Sequence, residues 1–368
     1  MTTAAAAEPA RIIKTGQRGV ANPLSEFSAL LHTVRDAGLL RRRTSFYVIT
    51  FSVLTVAMAG AWVGFALLHH TWYLLIIAAV LGVIFTQYAF MAHELAHRQV
   101  FESGKVNDFG GRIVADLLVG ISYSWWMTKH TRHHGNPNTV DKDPDIETDF
   151  IIFQADKAEG LTGLTKWLAN KQGYLFFPVL LLEGINLHRH AFITVFSKGK
   201  KVDKRALEIV LLLVRNIAYL AVLFSFMPLG MAFAFLGVQL AIFGLYMGAS
   251  FAPNHIGMPI LPRASKVDFL RRQVLTSRNI RGGHFMNHFM GGLNYQVEHH
   301  LFPSMPRPSL KRAGEITREY CEAKGIVYTE IGLPAAYRTV VRYLNEVGRS
   351  TDPFDCPAAG RTGYSGIS

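Results

Sequence analysis

The sequence predicts an all-α integral membrane protein, with four transmembrane helices in two hairpins and a helical cytoplasmic cap that holds a metal site. Three observations predict it. Of the 368 residues 50% are apolar and only 17% charged, too apolar a composition for a soluble chain of this size. Four runs with at most two charges are long enough to cross a hydrocarbon core of about 30 Å as helices. Histidines cluster beside those runs: His93 with His97, His130 with His133 and His134, His255, His284 with His288, and His299 with His300.

Residues 1–44 read as a cytoplasmic arm ending in Arg41, Arg42 and Arg43. The first ten residues carry no apolar segment of their own, which argues against a cleaved signal peptide. Residues 46–68 and 72–91 form the first pair of spans, separated only by a short turn. Residues 109–127, which hold Arg112 and Asp116, and residues 173–187, which hold Pro178 and Glu183, read as interfacial or re-entrant helices that roof the active face. Residues 207–227 and 229–251 form the second pair, joined at Pro228. Arg215 inside the third span reads as a side chain that snorkels to the surface.

Neither short turn carries Lys or Arg, whereas the arm is basic and the middle loop holds Lys198, Lys200, Lys201, Lys204 and Arg205. The positive-inside rule therefore puts both ends and the large loops in the cytoplasm. Residues 45–310 then form one membrane domain, 311–350 a cytoplasmic helical extension and 351–368 a disordered tail. Cys321 and Cys356 share the cytoplasmic side, where a disulfide is not expected. The net charge of +12 suits anionic headgroups and phosphate-bearing substrates. No aromatic-rich or helix-turn-helix element accompanies it, so nucleic acid is not the expected partner.

This topology returns the chain to the cytoplasm at His93, His97 and His255, the side of the loop carrying His130, His133 and His134 and of the segment carrying His299 and His300. All the main clusters share one face. His93 and His97 are four apart, and His130, His133 and His134 three and four apart, so each set lies on one side of a helix. Gln296-Val297-Glu298-His299-His300 repeats the second pattern with an amide in the first place. Imidazoles suit zinc, copper, iron or nickel, and more candidates are present than the four ligands of a structural zinc, which indicates two metal ions. HELAH at 93–97 also satisfies the zinc metalloprotease pattern. That reading leaves the clusters at 130–134 and 299–300 without a task, and Glu94 then reads as a carboxylate that orients an imidazole.

HELAH at 93–97, HTRHH at 130–134, the Asn254-His255 pair and GGLNYQVEHHLFP at 291–303 together resemble the membrane fatty-acid desaturases, over residues 45–310. The Gln-led third box resembles the linoleoyl-CoA or front-end branch, which some bacterial acyl-CoA desaturases share. The resemblance implies a di-iron enzyme that uses O2 and two electrons to desaturate a fatty acyl chain, with acyl-CoA the expected donor and an acyl lipid the alternative. It implies His93, His97, His130, His133, His134, His255, His299 and His300 as iron ligands, with Gln296 and Asn254 binding directly or through water. His284 and His288 match no box and read as capping, supporting or surface residues. His32, His69, His70, His188 and His190 read as interfacial polar residues, and Tyr123, Trp125 and Trp126 as anchors of their helix, with the lining of an acyl channel as the alternative. Two cysteines cannot hold an iron–sulfur cluster, and neither a dinucleotide fingerprint nor a heme-binding His-Pro-Gly-Gly motif is present. A separate electron donor is expected: a ferredoxin, a cytochrome b5 or a flavin reductase. The implied location is a bacterial inner membrane with the active site cytoplasmic. The competing readings are a hydroxylase or ketolase on the same scaffold and a membrane zinc protease.

Overall fold

The structure is a computed structural model that describes residues 23–148 and 150–349. The expectations for the first ten residues, for Cys356 and for the tail from Thr351 lie outside the described residues. The chain is mostly helical. In order it forms α1 (Pro23–Asp36), α2 (Thr44–Leu68), α3 (Leu74–Ala96), α4 (Gly104–Arg112) with a π-helical continuation (Ile113–Val119), α5 (Tyr123–Gly135), α6 (Gly163–Leu180), α7 (Glu183–Phe196), α8 (Arg205–Phe226) and α9 (Leu229–His255). Then come α10 (Phe269–Leu275), β1 (Asn279–Arg281), α11 (Gly283–Phe289), α12 (Gln296–Leu301), α13 (Leu310–Lys324), β2 (Glu330–Gly332) and α14 (Leu333–Arg349). The strands pair in parallel, with Ile280 opposite Ile331.

Among the described residues, helices α2, α3, α8 and α9 are the four long and apolar enough to cross a membrane. Their outward faces expose Val53, Val56, Leu67 and Ile217, an arrangement that costs little only against lipid. Inside, α3 packs on both α2 and α9 around Leu81, Phe85, Tyr219, Phe235 and Phe243. Two glycines allow a second close crossing: a Cβ on Gly184 or on Gly244 would collide with backbone across the α7–α9 interface.

The spans run further than the uncharged stretches of sequence. Helix α3 continues through His93, and α9 through His255, before breaking. Arg98 ends the first box at a left-handed φ of 56°, so His97 is the C-cap of α3. Thr44 Oγ1 donates to Val100 O at 2.8 Å, which brings the first turn of α2 beside that end.

Three expectations change. The stretch 109–127 is not one helix, because Gly120 takes a left-handed φ of 95° and Ser122 starts a new helix by accepting from Trp125 N. Residues 173–187 are split between α6 and α7 at Leu181 and Leu182. Arg215 does not snorkel: it is buried, with its guanidinium over the rings of Phe85 and Tyr219 at 5.2 and 4.6 Å. Aromatic faces supply the attraction that water would have supplied at the surface.

The remaining helices cover the end of the spans that carries the box histidines. Leu30 and Val34 of α1, Leu270 and Val274 of α10, Val297 and Leu301 of α12 and Ala313 of α13 form one buried cluster. Helix α14 packs along α6, and Val340, Leu344 and Val347 join Phe153 and Phe176 in another. Residues 311–349 are thus part of the same packed body.

Candidate metal centre

Box one is delivered by the end of α3, box two by α5, His255 by the last turn of α9 and box three by α12. Helix α5 is fixed at its start by α8, where Glu208 accepts from Ser122 Oγ at 2.6 Å and from Ser124 N at 3.1 Å. Helix α12 is too short to hold itself. Asn279 Oδ1 accepts from Val297 N at 2.9 Å, while Glu298 accepts from Asn279 Nδ2 at 2.7 Å and from Tyr328 Oη at 2.9 Å. Burial raises the Glu298 carboxyl to about 7.

These elements bring all eight box histidines together in two groups. His93, His97, His130, His134 and His299 have ring nitrogens within 4.8 Å of one another, as do those of His133, His255 and His300. The Nε2 atoms of His97 and His130 are 2.8 Å apart, of His93 and His130 3.2 Å, of His134 and His299 3.0 Å and of His133 and His255 3.3 Å. Imidazoles that share one ion at about 2.1 Å and meet it near a right angle stand at such spacings. Across the groups, the rings of His134 and His300 stack with centroids 4.2 Å apart.

The electrostatics match that donor set. Burial pushes His97 down to about 3, and burial reinforced by neighbouring histidines pushes His130, His134, His299 and His300 well below the usual imidazole range. They stay neutral, the form that binds metal. His300 Nε2 is buried and finds no hydrogen-bond partner among the described residues, as a nitrogen reserved for a metal would be. The residues therefore fit two metal ions.

Outer partners orient the rings. His133 Nδ1 lies 3.0 Å from both oxygens of Asp143, which also accept from Asn138 N at 2.7 Å and Asp145 N at 2.9 Å. Burial would depress His133, but Asp143 and Asp145 outweigh it and raise its pKa. His255 Nδ1 faces Thr276 O at 2.9 Å, and His300 Nδ1 faces Gln273 Oε1 at 2.9 Å. Gln273 also donates to His134 O at 3.0 Å and so ties α10 to boxes two and three. Arg278 closes the end of α9 by donating to Pro253 O and Ile256 O at 2.8 and 2.7 Å. Sequence reasoning missed Asp143, Gln273 and Arg278. Only Asp143 left a signal, as an acidic residue ten positions beyond a box histidine.

Gln296 places Nε2 2.9 Å from His255 Nε2, and its Oε1 accepts from Asn254 Nδ2 at 3.0 Å. Gln296 thus faces the second group, whereas Asn254 stands behind it. Glu94 does not orient an imidazole. Both of its oxygens accept from Arg307, at 2.5 and 2.6 Å, and both side chains are about 2% exposed. A carboxylate so engaged is not free to act on a metal-bound water, the task HELAH would assign it in a protease.

His284 and His288 sit on α11, whose residues are not buried, and belong to neither group. The rings of His69 and His70 meet at a tilt of 47°, with centroids 3.7 Å apart, at the turn between α2 and α3. His188 is no interfacial residue: its Nδ1 meets Gly184 O at 2.7 Å and its Nε2 is buried. His190 stacks on Trp125 at 5.5 Å, and Trp126 stacks on His130 at 4.2 Å. The two tryptophans are not simple anchors. They line a cavity of about 240 Å³, whose walls include His130, His133, His255 and Gln296. A second cavity of about 30 Å³ reaches His93 and shares Ile121, Trp126, Met247 and Phe251 with the first.

Two groups of histidines between membrane-length helices, beside an apolar cavity, set the terms for comparison with known proteins. The chain is 29% identical over 281 residues to the acyl-lipid (9-3)-desaturase of Physcomitrium patens, covering 74% of this chain and 53% of that protein, so it spans about half of that relative's length. It is 29% identical over 323 residues to the Delta(8)-fatty-acid desaturase 2 of Arabidopsis thaliana, covering 83% of this chain and 71% of the relative. The Delta(5) fatty acid desaturase fat-4 of Caenorhabditis elegans is 27% identical over 325 residues, covering 82% and 69%. The sequence pattern of the fatty acid desaturases matches residues 70–332, a stretch that holds every box histidine, and on that match the chain belongs to the fatty acid desaturase family.

Proposed function

We propose that the protein desaturates a fatty acyl chain in an O2-dependent reaction at a centre of two iron ions. The observation that carries this reading is the pair of histidine groups, of five and three rings, set against the wall of the apolar cavity. His93, His97, His130, His134 and His299 would hold one ion, and His133, His255 and His300 the other, with Gln296 placed to complete the second set. When bound, the iron supplies the oxidation of an unactivated C–H bond, in which the acyl chain gives up two hydrogens and O2 is reduced with two further electrons.

The chain's own residues hold, orient and exclude. Asp143, Gln273 and the carbonyl of Thr276 fix three rings through their second nitrogens, which sets tautomer and orientation. Ile121, Met247 and Phe251 line the cavity and keep water from the reacting carbons. Trp126 stacks on His130 and bounds the passage from the larger cavity to the smaller one beside His93.

The topology belongs to the proposal: two membrane hairpins, both ends and the histidines in the cytoplasm, in a bacterial inner membrane. The charge asymmetry of the loops supports it. The electron donor is a separate ferredoxin, cytochrome b5 or flavin reductase, for which the net charge of +12 favours an acidic partner. The same charge supports acyl-CoA as the donor of the chain.

The test is product analysis. Cells expressing the protein with each class of donor in turn, and fed a saturated fatty acid, are expected to gain an acyl double bond detected by mass spectrometry. A hydroxylated acyl product instead would refute desaturation in favour of the hydroxylase.

A further inference from the structure

Three side chains of the carboxylate and ammonium kind line the larger cavity, Lys129, Asp145 and Glu183, beside its histidines and Tyr343. They form one polar corner. Lys129 Nζ meets Asp145 Oδ1 at 2.7 Å, the two side chains being 40% and 43% exposed, so this corner keeps polar surface open to a ligand. Asp145 Oδ2 lies 3.3 Å from His133 Nδ1, which places the corner two short contacts from the second histidine group. Glu183 opens α7 at the break from α6 and accepts from Asn186 Nδ2 at 3.1 Å.

An ammonium has three donors, and Asp145 takes one. An amphiphile entering an apolar cavity loses least when its polar group rests where donors remain. A stem of methylenes can then follow the apolar wall past His133 and His255 toward Phe251. We infer that Lys129, backed by Glu183, is the subsite that holds the carbonyl of the acyl ester or thioester. A carbonyl fixed there determines which carbons reach the histidines, so the corner governs the position of the double bond. The inference rests on the desaturase reading for the identity of the ligand.

A carbonyl-deletion experiment on the purified, iron-loaded protein tests it. Binding of stearoyl-CoA is compared with that of its thioether analogue octadecyl-CoA, and binding of a distearoyl phosphatidylcholine with that of its ether-linked counterpart. Wild type is expected to favour the carbonyl-bearing member of one pair by about tenfold, the scale of a hydrogen bond to a charged group, and the pair that discriminates identifies the carrier. Lys129→Met should lose the preference and spread the product over more than one double-bond position, while Lys129→Arg should keep both. Equal binding within both pairs by wild type overturns the inference whether or not the variants fold, as does an undiminished preference in Lys129→Met. Discrimination without any double bond in the product would instead sink the desaturase reading and leave the subsite standing.

Discussion

At the scale of single residues, the Glu94–Arg307 pair joins box one to the segment after box three. Arg307 N also donates to Tyr47 Oη at 3.0 Å, and Tyr47 donates to Gln99 Oε1 at 3.1 Å, so α2 is drawn into the same knot. Removing one member of a buried pair strands the other charge, which costs about 3–5 kcal/mol. Arg307→Met should therefore destabilise the protein by that amount and lower its iron content. The double variant Arg307→Met with Glu94→Gln should recover part of the loss, as measured by unfolding in mixed detergent and by metal analysis. If the two changes add without coupling, the pair does not hold the boxes together. The spacing of HELAH identified its histidines, but Glu94 and Arg307 are 213 residues apart, and nothing local in the sequence announces the partner.

Asp116 carries a second prediction at this scale. Its Oδ1 accepts from Tyr123 N at 2.8 Å and its Oδ2 is buried without a partner among the described residues. Burial, with Glu208 nearby, raises its carboxyl to about 8 from 3.8. The folded state then binds a proton that the unfolded state has released, so stability falls as pH rises from about 4 to about 8. Asp116→Asn removes the titration. Melting temperatures followed across that range should decline less in the variant, and parallel curves would show that Asp116 does not titrate there.

At the scale of elements, close crossings decide what the helices tolerate. Gly184→Val and Gly244→Val should each separate α7 from α9 and lower the melting temperature by several degrees. Gly230→Val, where an added Cβ meets nothing within 4 Å, should change it little. An equal shift in all three would deny the crossing its role. The four long helices were legible because apolar composition and length speak for membrane spans without reference to neighbours. Arg215 was misread for the same reason: its aromatic partner Phe85 comes from another helix. The stretches 109–127 and 173–187 looked continuous because hydropathy does not register the left-handed Gly120 or the break at Leu181.

At the scale of the whole molecule, the eight box histidines were readable as one set since each lies near the same end of a span or in a loop on that side. The division into five and three was not, because it depends on how α5 and α12 pack across each other. His133→Ala is expected to reduce bound iron by at least one ion per chain and abolish desaturation. His69→Ala, at the far turn, should preserve both. Equal iron content in the two variants would remove His133 from the centre, and one zinc with no iron in wild type would remove the di-iron reading.

The left-handed Arg98 closes box one early in the chain, yet neither histidine group is complete without α12, since one waits for His299 and the other for His300. During synthesis the membrane helices and six of the eight rings are made before either ion has its full set of donors. On the proposed reading, metal capture is thus a late event in the birth of the protein. A chain halted before residue 299 lacks a ring of each histidine group, so on that reading iron content would serve as a stamp of completed folding.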